Sequence, residues 1–560
     1  MVISFSEIIS VLGAHEFRLS TASGAERDVY RARYRARYSA FPRSQPYYDL
    51  RIRATRLACY SCRSVGIISD VTLGMETGAE QLIEEFLSES RASGNYSRER
   101  ITRLAELATS ENPEVAELAS RAFFTLLVER LADSFEPKAV TLYNRVFAQL
   151  IQSCRKDRRA HSIDRELARA GTLNEEDVIT RADTLRRVIA PIEFSHKLRR
   201  IIVLSRVTLG ADVAITSVII ERFKREFPDA EILLLGGRKS GELFGADQRV
   251  HVKEIEYGRG GTVIARLLTW IDLIESVREL TRGFERSEYL IIDPDTRLTQ
   301  LGLLPVAPET NDRGYLFFPS REYRGEAAHS LGELTSMWLD EVFGEGAVTY
   351  PRVSIDRKDI EAAKNLIIRL KRPVVALNFG VGENPLKRVG SNFEASLVSS
   401  LVQEGASIVL DKGAGQDESE RIDTVIAEAT RSAKSGRPVR VVQLDEQTSS
   451  EALNDRNEAD ILIWHGRVGI LAALIGESDL YIGYDSAGQH IAAALGVPCI
   501  DVFAGFSSPR MLERWRPTGM GEIRLFPVEM SCNPVASREL ASEVLRHVTE
   551  MLSRAQRGKS

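Results

Sequence analysis

The fold of this chain is decided by residues 198–237, LRRIIVLSRVTLGADVAITSVIIERFKREFPDAEILLLGG. The apolar run from Ile201 to Leu204 predicts a buried strand, and the apolar residues after the following loop share one face of a helix. A turn at Pro228 leads into a second apolar strand that begins at Glu231. Strand, loop, helix and strand in this order predict a βαβ unit with parallel strands.

The same alternation of strands and helices repeats in residues 351–535, between an apolar strand at Val374 and another at Cys499. Strands that are buried on both faces are typical of doubly wound sheets. We therefore predict an α/β chain with two Rossmann-like domains, residues 196–350 and 351–535, facing a cleft, and a C-terminal helix over residues 536–560. Ligands of such sheets bind at the carboxyl ends of the strands.

Residues 1–195 differ in composition from the rest of the chain and are expected to be mainly helical. Their start is rich in Arg and Tyr, which could stack on bases or hold phosphates, although packing against a neighbouring domain is the favoured interpretation. Cys59 and Cys62 have zinc or redox spacing, but no second pair completes a site, and two ordinary thiols are favoured. From Ser97 to Asp183 the apolar period predicts a helical bundle or helical-hairpin repeats.

Composition excludes several classes of function. A length of 560 residues predicts several domains, and a net charge of −5 argues against a general nucleic-acid binder. We find no apolar run long enough to span a membrane and no basic leader typical of a signal peptide. We expect a cytoplasmic protein, with peripheral association at the inner face of the membrane as the alternative.

One loop in the second domain lies between a predicted strand and an alanine-rich helix. It consists of Asp485, Ser486, Ala487, Gly488, Gln489 and His490. The free N–H groups and the dipole at a helix start bind phosphate oxygens, and the Ser, Gln and His side chains add donors, of which His can be cationic. The alternative is an ordinary capped helix with a core histidine.

A loop at the corresponding place in the first domain contains Ser205, Gly210 and Asp212. Gly210 lets the chain turn, and Asp212 then begins the helix. Asp212 either caps that helix or faces the cleft as a carboxylate that takes a proton from an attacking hydroxyl.

Two further loops of the second domain carry charged residues. Lys387 and Arg388 could neutralise a leaving diphosphate. Asp417 and Glu418 could accept hydrogen bonds from ribose hydroxyls, or form a solvated acidic turn. Polar loops at so many predicted strand ends of one chain indicate a ligand site more strongly than any of them alone.

These motifs together resemble the lipopolysaccharide heptosyltransferase family, inverting glycosyltransferases of the GT-B fold, over residues of about 198–530. The family's S-x-x-G-D-V loop is matched by Ser205 to Val213, with Ala211 as an extra residue. Its closing motif is matched by residues 485–490, with Ala487 in place of the first glycine, and by Gly496-Val497-Pro498. Its K-x-W-P loop is matched only as Lys387-Arg388, without the tryptophan.

The resemblance implies transfer of a sugar, heptose-like or other, from a nucleotide-sugar donor to an acceptor hydroxyl with inversion, as in lipopolysaccharide biosynthesis. It makes Asp212 the candidate general base and assigns the donor diphosphate to Lys387 and the helix start after Asp485. The donor is expected to be ADP-linked, the acceptor a carbohydrate, lipid or protein, and no cofactor, metal ion or nucleic acid is expected to take part. A non-catalytic nucleotide-binding scaffold, with the N-terminal helices holding a protein partner, is the alternative. A nucleotide-sugar epimerase is less favoured.

Overall fold

The computed structural model describes most of the chain. The described residues are 70–187, 197–258, 260–307, 314–325, 328–382, 384–413, 415–432, 438–446, 459–528 and 534–558. The Arg- and Tyr-rich stretch and the pair Cys59 and Cys62 lie outside them. Residues from Asp70 to Ser560 form one compact unit. Among the described residues, no helix is both long and apolar enough to cross a membrane.

The described part of the N-terminal region is helical, as predicted. It contains α1 (Asp70–Ser93), α2 (Arg98–Ala108), α3 (Pro113–Ala122), α4 (Glu129–Ala132), α5 (Pro137–Arg155), α6 (His161–Arg169) and α7 (Glu175–Arg187). A π-helical turn, Phe123–Val128, joins α3 to α4. The buried face of these helices shares one apolar core with Ile202 and Leu204 of the first sheet, so the helices pack against that sheet.

The first sheet has five parallel strands in the order β3-β2-β1-β4-β5. They are β1 (Arg200–Leu204), β2 (Glu231–Gly236), β3 (Val250–Glu254), β4 (Tyr289–Asp293) and β5 (Tyr315–Phe317). Its helices are α8 (Leu209–Ala211), α9 (Ser217–Glu226), α10 (Arg238–Phe244), α11 (Val263–Thr281) and α12 (Leu331–Phe343). The predicted βαβ unit is present, with Arg200 in register with Glu231.

The second sheet has seven parallel strands in the order β12-β11-β10-β6-β7-β9-β8. They are β6 (Val374–Asn378), β7 (Ser407–Asp411), β8 (Val441–Asp445), β9 (Ile461–His465), β10 (Leu480–Tyr484), β11 (Cys499–Ala504) and β12 (Ile523–Val528). Its helices are α13 (Arg357–Ile367), α14 (Ser391–Gln403), α15 (Gln416–Ser432), α16 (Val468–Gly476), α17 (Ala487–Ala494), α18 (Pro509–Trp515) and α19 (Pro534–Gly558). The order reverses at β6 and β10, where doubly wound sheets bind ligands.

One apolar core joins the two sheets. It includes Ile201 and Val203 of β1, Val374 of β6 and Ile491 of α17, together with Phe135 from the turn between α4 and α5. Burial of apolar side chains from both sheets in one cluster stabilises their contact. The fold class is therefore the predicted one, GT-B with two doubly wound domains and an additional mainly helical region.

Candidate functional site

The loop after β1 meets the start of α17, so the structure brings together one predicted loop from each sheet. A Cβ atom built on Gly210 would lie 3.1 Å from Cδ2 of His490 and 3.3 Å from Cα of Ala487. A Cβ atom on Gly488 would lie 2.2 Å from the hydroxyl oxygen of Tyr481, so only glycine allows α17 to pack this closely on β10. Gly210 therefore serves close packing between the two domains, and Gly488 serves close packing within the second domain.

Asp212 is buried inside its own loop and is 1% exposed. Its Oδ1 accepts hydrogen bonds from the backbone N–H of Arg206 at 2.6 Å and the Thr216 hydroxyl at 2.9 Å. Its Oδ2 accepts from the hydroxyls of Ser205 at 2.6 Å and Ser240 at 3.2 Å. Burial raises the pKa of Asp212. The side chain therefore points into the first domain, and the expectation that this carboxylate faces the cleft was wrong. The role of Asp212 as general base stays a prediction.

The inward position of Asp212 coincides with the extra residue in this loop. The short helix α8 passes directly into a π-helical turn, Asp212–Thr216, before α9 begins. A single π-helical turn inside an α-helix accommodates one additional residue, and a shift of one residue rotates a side chain by about 100°. We infer that the turn absorbs Ala211 and directs Asp212 toward Ser205 and Thr216.

The same loop is fixed by Arg206, which the sequence did not single out. Its Nη1 donates to the carbonyl oxygens of Pro294 at 2.6 Å and Asp295 at 2.7 Å, and to the Ser320 hydroxyl at 2.8 Å. The Asp295 carboxylate also accepts a hydrogen bond from Arg321 at 2.6 Å. Burial lowers the pKa of Arg206 to about 9. This buried network ties the loop after β1 to the loop after β4.

Lys387 forms an ion pair with Asp485 just before α17. The Lys387 Nζ lies 2.5 Å from Oδ2 of Asp485, and Nε2 of Gln489 donates to Oδ1 of the same carboxylate at 3.1 Å. Burial disfavours the charged form of Lys387, but the charge of Asp485 outweighs it and raises the pKa of Lys387. Two residues that the sequence assigned to the donor are therefore in direct contact.

Buried polar atoms without a hydrogen-bond partner collect beneath the start of α17. Among the described residues they include the hydroxyls of Tyr481 and Ser486, Oε1 of Gln489 and both carboxylate oxygens of Asp501. Asp501 is in register with Gly483 of β10, just before the loop that contains Asp485. An unpartnered buried polar group costs about 1–3 kcal/mol, and such groups are rare in folded proteins. These atoms could be satisfied by a polar ligand or by ordered water.

The His490 side chain is buried, which disfavours the cationic form that the sequence allowed. The side chain is 4% exposed, and its ring packs edge-on against Trp515 at a centroid distance of 6.2 Å. Burial lowers the pKa of His490 to about 4. The ring therefore contributes packing and a neutral polar edge to the junction of the domains.

Arg388 is committed to a structural ion pair. Its Nε donates to Oε1 of Glu394 at 2.9 Å, its Nη2 donates to the second oxygen, and Glu394 is 0% exposed. The Tyr484 hydroxyl also donates to Oε1 of Glu394, at 2.9 Å. This pair fixes the loop between β6 and α14, and its guanidinium does not extend freely toward a diphosphate.

The two acids predicted to contact ribose lie in the first turn of α15 and differ in exposure. Asp417 is exposed, whereas Glu418 is partly buried. A Cβ atom built on Gly380 or Gly413 would lie 3.3 Å or 2.6 Å from a carboxylate oxygen of Glu418. Glu418 therefore lies at the carboxyl ends of β6 and β7, and Asp417 faces solvent.

The helical region reaches the same junction through Phe135, which sequence analysis missed. Phe135 is 1% exposed, and its ring packs edge-on against Trp515 at 6.1 Å. Its carbonyl oxygen accepts a hydrogen bond from Nη1 of Arg510 at 3.0 Å. Its φ of 54° is unusual for a bulky residue and is held by this packing. No short-range pattern in the sequence marks such a contact.

No family model matches the chain, and no curated protein matches it. One solved structure with a similar fold is a glycosyltransferase family 9 protein from Veillonella parvula, which is 16% identical in sequence. The match covers 65% of this chain and 99% of that chain, with a TM-score of 0.47. The E. coli ADP-heptose lipopolysaccharide heptosyltransferase II has 14% identity, coverages of 64% and 99%, and a TM-score of 0.41. The E. coli heptosyltransferase WaaC with ADP has 13% identity, coverages of 63% and 99%, and a TM-score of 0.42. These likenesses concern the fold and assign no role to any residue of this chain.

Proposed function

We propose that this chain is a glycosyltransferase that binds a nucleotide sugar at the carboxyl edge of the second sheet. The observation that carries the proposal is the placement of Lys387 beside the start of α17, where the loop after β1 meets it. Cationic side chains and helix N-termini are the groups that bind diphosphates in proteins. The unpartnered buried atoms of Tyr481 and Gln489 support a polar ligand at the same place.

The charges at this edge support the proposed reaction. When a glycosidic bond to a diphosphate breaks, negative charge develops on the leaving oxygen, and fixed positive groups stabilise it. Lys387 and the free N–H groups of α17 are such groups. The sequence resemblance adds that the acceptor hydroxyl attacks the anomeric carbon from the opposite face, which inverts its configuration. An ADP-linked, heptose-like donor and a carbohydrate, lipid or protein acceptor belong to this proposal on the basis of the sequence resemblance.

A second candidate is a nucleotide-binding protein without turnover. The burial of Asp212 favours it, because a general base must lie within hydrogen-bond reach of the proton that it removes. In that case the contacts of the helical region with both sheets would serve as a scaffold for a partner.

Two measurements on the full chain separate these candidates. Calorimetry with ADP, UDP and GDP tests binding, and incubation with sugars linked to each nucleotide tests release of the nucleoside diphosphate. Release with any donor, above a no-protein control, supports the glycosyltransferase. Binding without release from any donor, in the presence of cell-extract acceptors, favours the scaffold. If no nucleotide binds, both candidates are refuted.

A further inference from the structure

A cation of the first domain lies at the junction and is not part of any site described above. Arg297 begins a short 3-10 helix at the carboxyl end of β4 and is partly exposed. Its guanidinium lies over the ring of Tyr143 from α5, at 5.9 Å from the centroid. The Tyr143 hydroxyl also lies 3.4 Å from Oε1 of Gln300. Within the described ranges, the Arg297 side chain has no hydrogen bond or ion pair, so its charge is available to a ligand.

The turn that carries Asp133 lies beside the start of α17. Phe135 of this turn packs on Trp515, and Trp515 contacts the His490 ring and accepts a hydrogen bond from Nε2 of Gln489 at 3.5 Å through its carbonyl oxygen. Asp133 caps the C-terminal end of α4, two residues before Phe135, and is partly exposed. Burial disfavours the charged forms of Lys387 and Arg297, but nearby acidic groups outweigh it and raise the pKa of each. These groups are chiefly Asp485 for Lys387 and chiefly Tyr143 and Tyr257 for Arg297, and Asp133 adds to both. The contacts of Phe135 with α18 and of Tyr143 with Arg297 fix the position of this turn.

The other acids close to Lys387 are already engaged or buried. Glu129, the first residue of α4, also acts on the charge of Lys387 and has a partner of its own. Asp485 is ion-paired with Lys387 itself, and Asp501 is 0% exposed. By contrast, the Asp133 carboxylate makes no hydrogen bond or ion pair with any residue that the structure describes. It therefore keeps its oxygens available for a substrate hydroxyl.

We propose that the helical region forms the third wall of the substrate cleft, where Asp133 takes the proton of the acceptor hydroxyl and Arg297 binds a phosphate oxygen of the donor. This inference rests on the proposed glycosyltransferase function and adds residues to its site. It also gives a place in the reaction to the region before residue 196, whose role the sequence left open.

The step is balanced. The acceptor oxygen forms a bond to the anomeric carbon as its proton passes to the Asp133 carboxylate. The bond between the anomeric carbon and the diphosphate oxygen breaks, and its electron pair stays on the diphosphate. Lys387 and Arg297 neutralise that charge. A positioned general base contributes about 10²–10⁴-fold to the rate.

The test compares Asp133→Asn with Glu136→Gln in the full chain. Glu136 lies on the same turn, is exposed and caps nothing with its side chain, so this control removes the same charge. We expect Asp133→Asn to lower release of nucleoside diphosphate from the active donor by about 100-fold or more. We expect it to bind the free nucleoside diphosphate more tightly than the wild type does, because a negative charge near the phosphate-binding cations has been removed. Glu136→Gln should match the wild type in both assays.

Arg297→Gln provides an independent measurement, and it should weaken binding of the nucleoside diphosphate by about 10-fold or more. Turnover of Asp133→Asn within about threefold of the wild type would overturn the role of Asp133, and unchanged affinity of Arg297→Gln would overturn that of Arg297. If the wild type binds nucleotide but shows no turnover, the affinities alone decide. Tighter binding by Asp133→Asn, but not by Glu136→Gln, would support the third wall, and equal affinities of the two variants would overturn it. A wild type that binds no nucleotide refutes the proposed function and this inference together.

Discussion

Replacement of Asp212 tests whether this residue anchors its loop or acts in catalysis. In Asp212→Ala, the buried N–H of Arg206 loses its acceptor, which costs about 1–3 kcal/mol, and three hydroxyls lose theirs. We expect a total loss of about 3–5 kcal/mol. In Asp212→Asn, the amide oxygen still accepts from Arg206, and the amide nitrogen can donate to the hydroxyls of Ser205 and Ser240. We therefore expect the Asn variant to lose about 1 kcal/mol.

Thermal unfolding followed by tryptophan fluorescence measures these losses. At about 2–4 °C for each kcal/mol in a domain of this size, the expected loss should lower the unfolding temperature of Asp212→Ala by about 6–20 °C. Asp212→Asn should unfold within a few degrees of the wild type and keep its nucleotide affinity. Asp229→Ala is the matched control, because Asp229 is exposed in the same domain; a surface substitution of this kind changes stability by about 0.5 kcal/mol or less.

Two results would refute the reasoning. An Asp212→Ala protein that unfolds with the wild type would show that the four hydrogen bonds do not hold the loop. An Asp212→Asn protein of normal stability that loses turnover about 100-fold or more would show that Asp212 reaches the substrate, as the sequence resemblance predicts. In that case the buried position would belong to a ligand-free state of the loop.

Three further predictions concern the junction of the domains. Lys387→Ala should weaken the binding of nucleoside diphosphate, measured by calorimetry, by about 10–100-fold, because a charged hydrogen bond is worth about 1.5–3 kcal/mol. Lys371→Ala is the control, because Lys371 is exposed. Equal affinities of the two variants would remove Lys387 from the site. The pKa of His490 in the folded protein is about 4, below its ordinary value of 6.5. As the pH falls, the unfolded state therefore takes up the proton first, and the free energy of unfolding drops by about 3 kcal/mol between pH 6.5 and 4. His490→Gln should show a shallower loss of unfolding temperature over that range, and an identical slope would contradict the assignment. Phe135→Ala should lose about 3 kcal/mol of stability because the contact with Trp515 is removed. Phe135→Gly should recover about 1 kcal/mol of that loss because glycine tolerates the positive φ at this position. Equal unfolding temperatures for the two variants would contradict this explanation.

Most of the sheet could be predicted because buried parallel strands are continuous apolar runs. β1, β6, β10 and β11 are such runs, and the structure has them within one or two residues of the predicted bounds. β3 and β12 were missed, and both are edge strands whose residues are largely partly exposed. An edge strand needs fewer apolar residues and tolerates proline, so its pattern is weak. β9, ILIWH, is a central apolar strand that the pattern could have predicted.

The sequence predicted that two candidate residues lie close together, but not the partners of the other candidates. Lys387 and Asp485 follow different strands of one sheet, and carboxyl ends of parallel strands meet at one edge, so their proximity follows from the topology. Arg388 was expected to face a diphosphate, but the sequence could not indicate that Glu394, buried on the next helix, takes its guanidinium. Ion pairs between residues on different elements depend on packing and leave no pattern in the chain.

The sequence by itself determined the two parallel sheets and the strand ends from which a ligand site would be built. Apolar periodicity and chain direction are local properties, and together they specify which loops lie at a carboxyl edge. Only the tertiary structure decided the burial of His490, the inward direction of Asp212 and the contact of Phe135 with Trp515. Each depends on burial or on partners from distant elements, and the free energy of a charge is set by what surrounds it after folding.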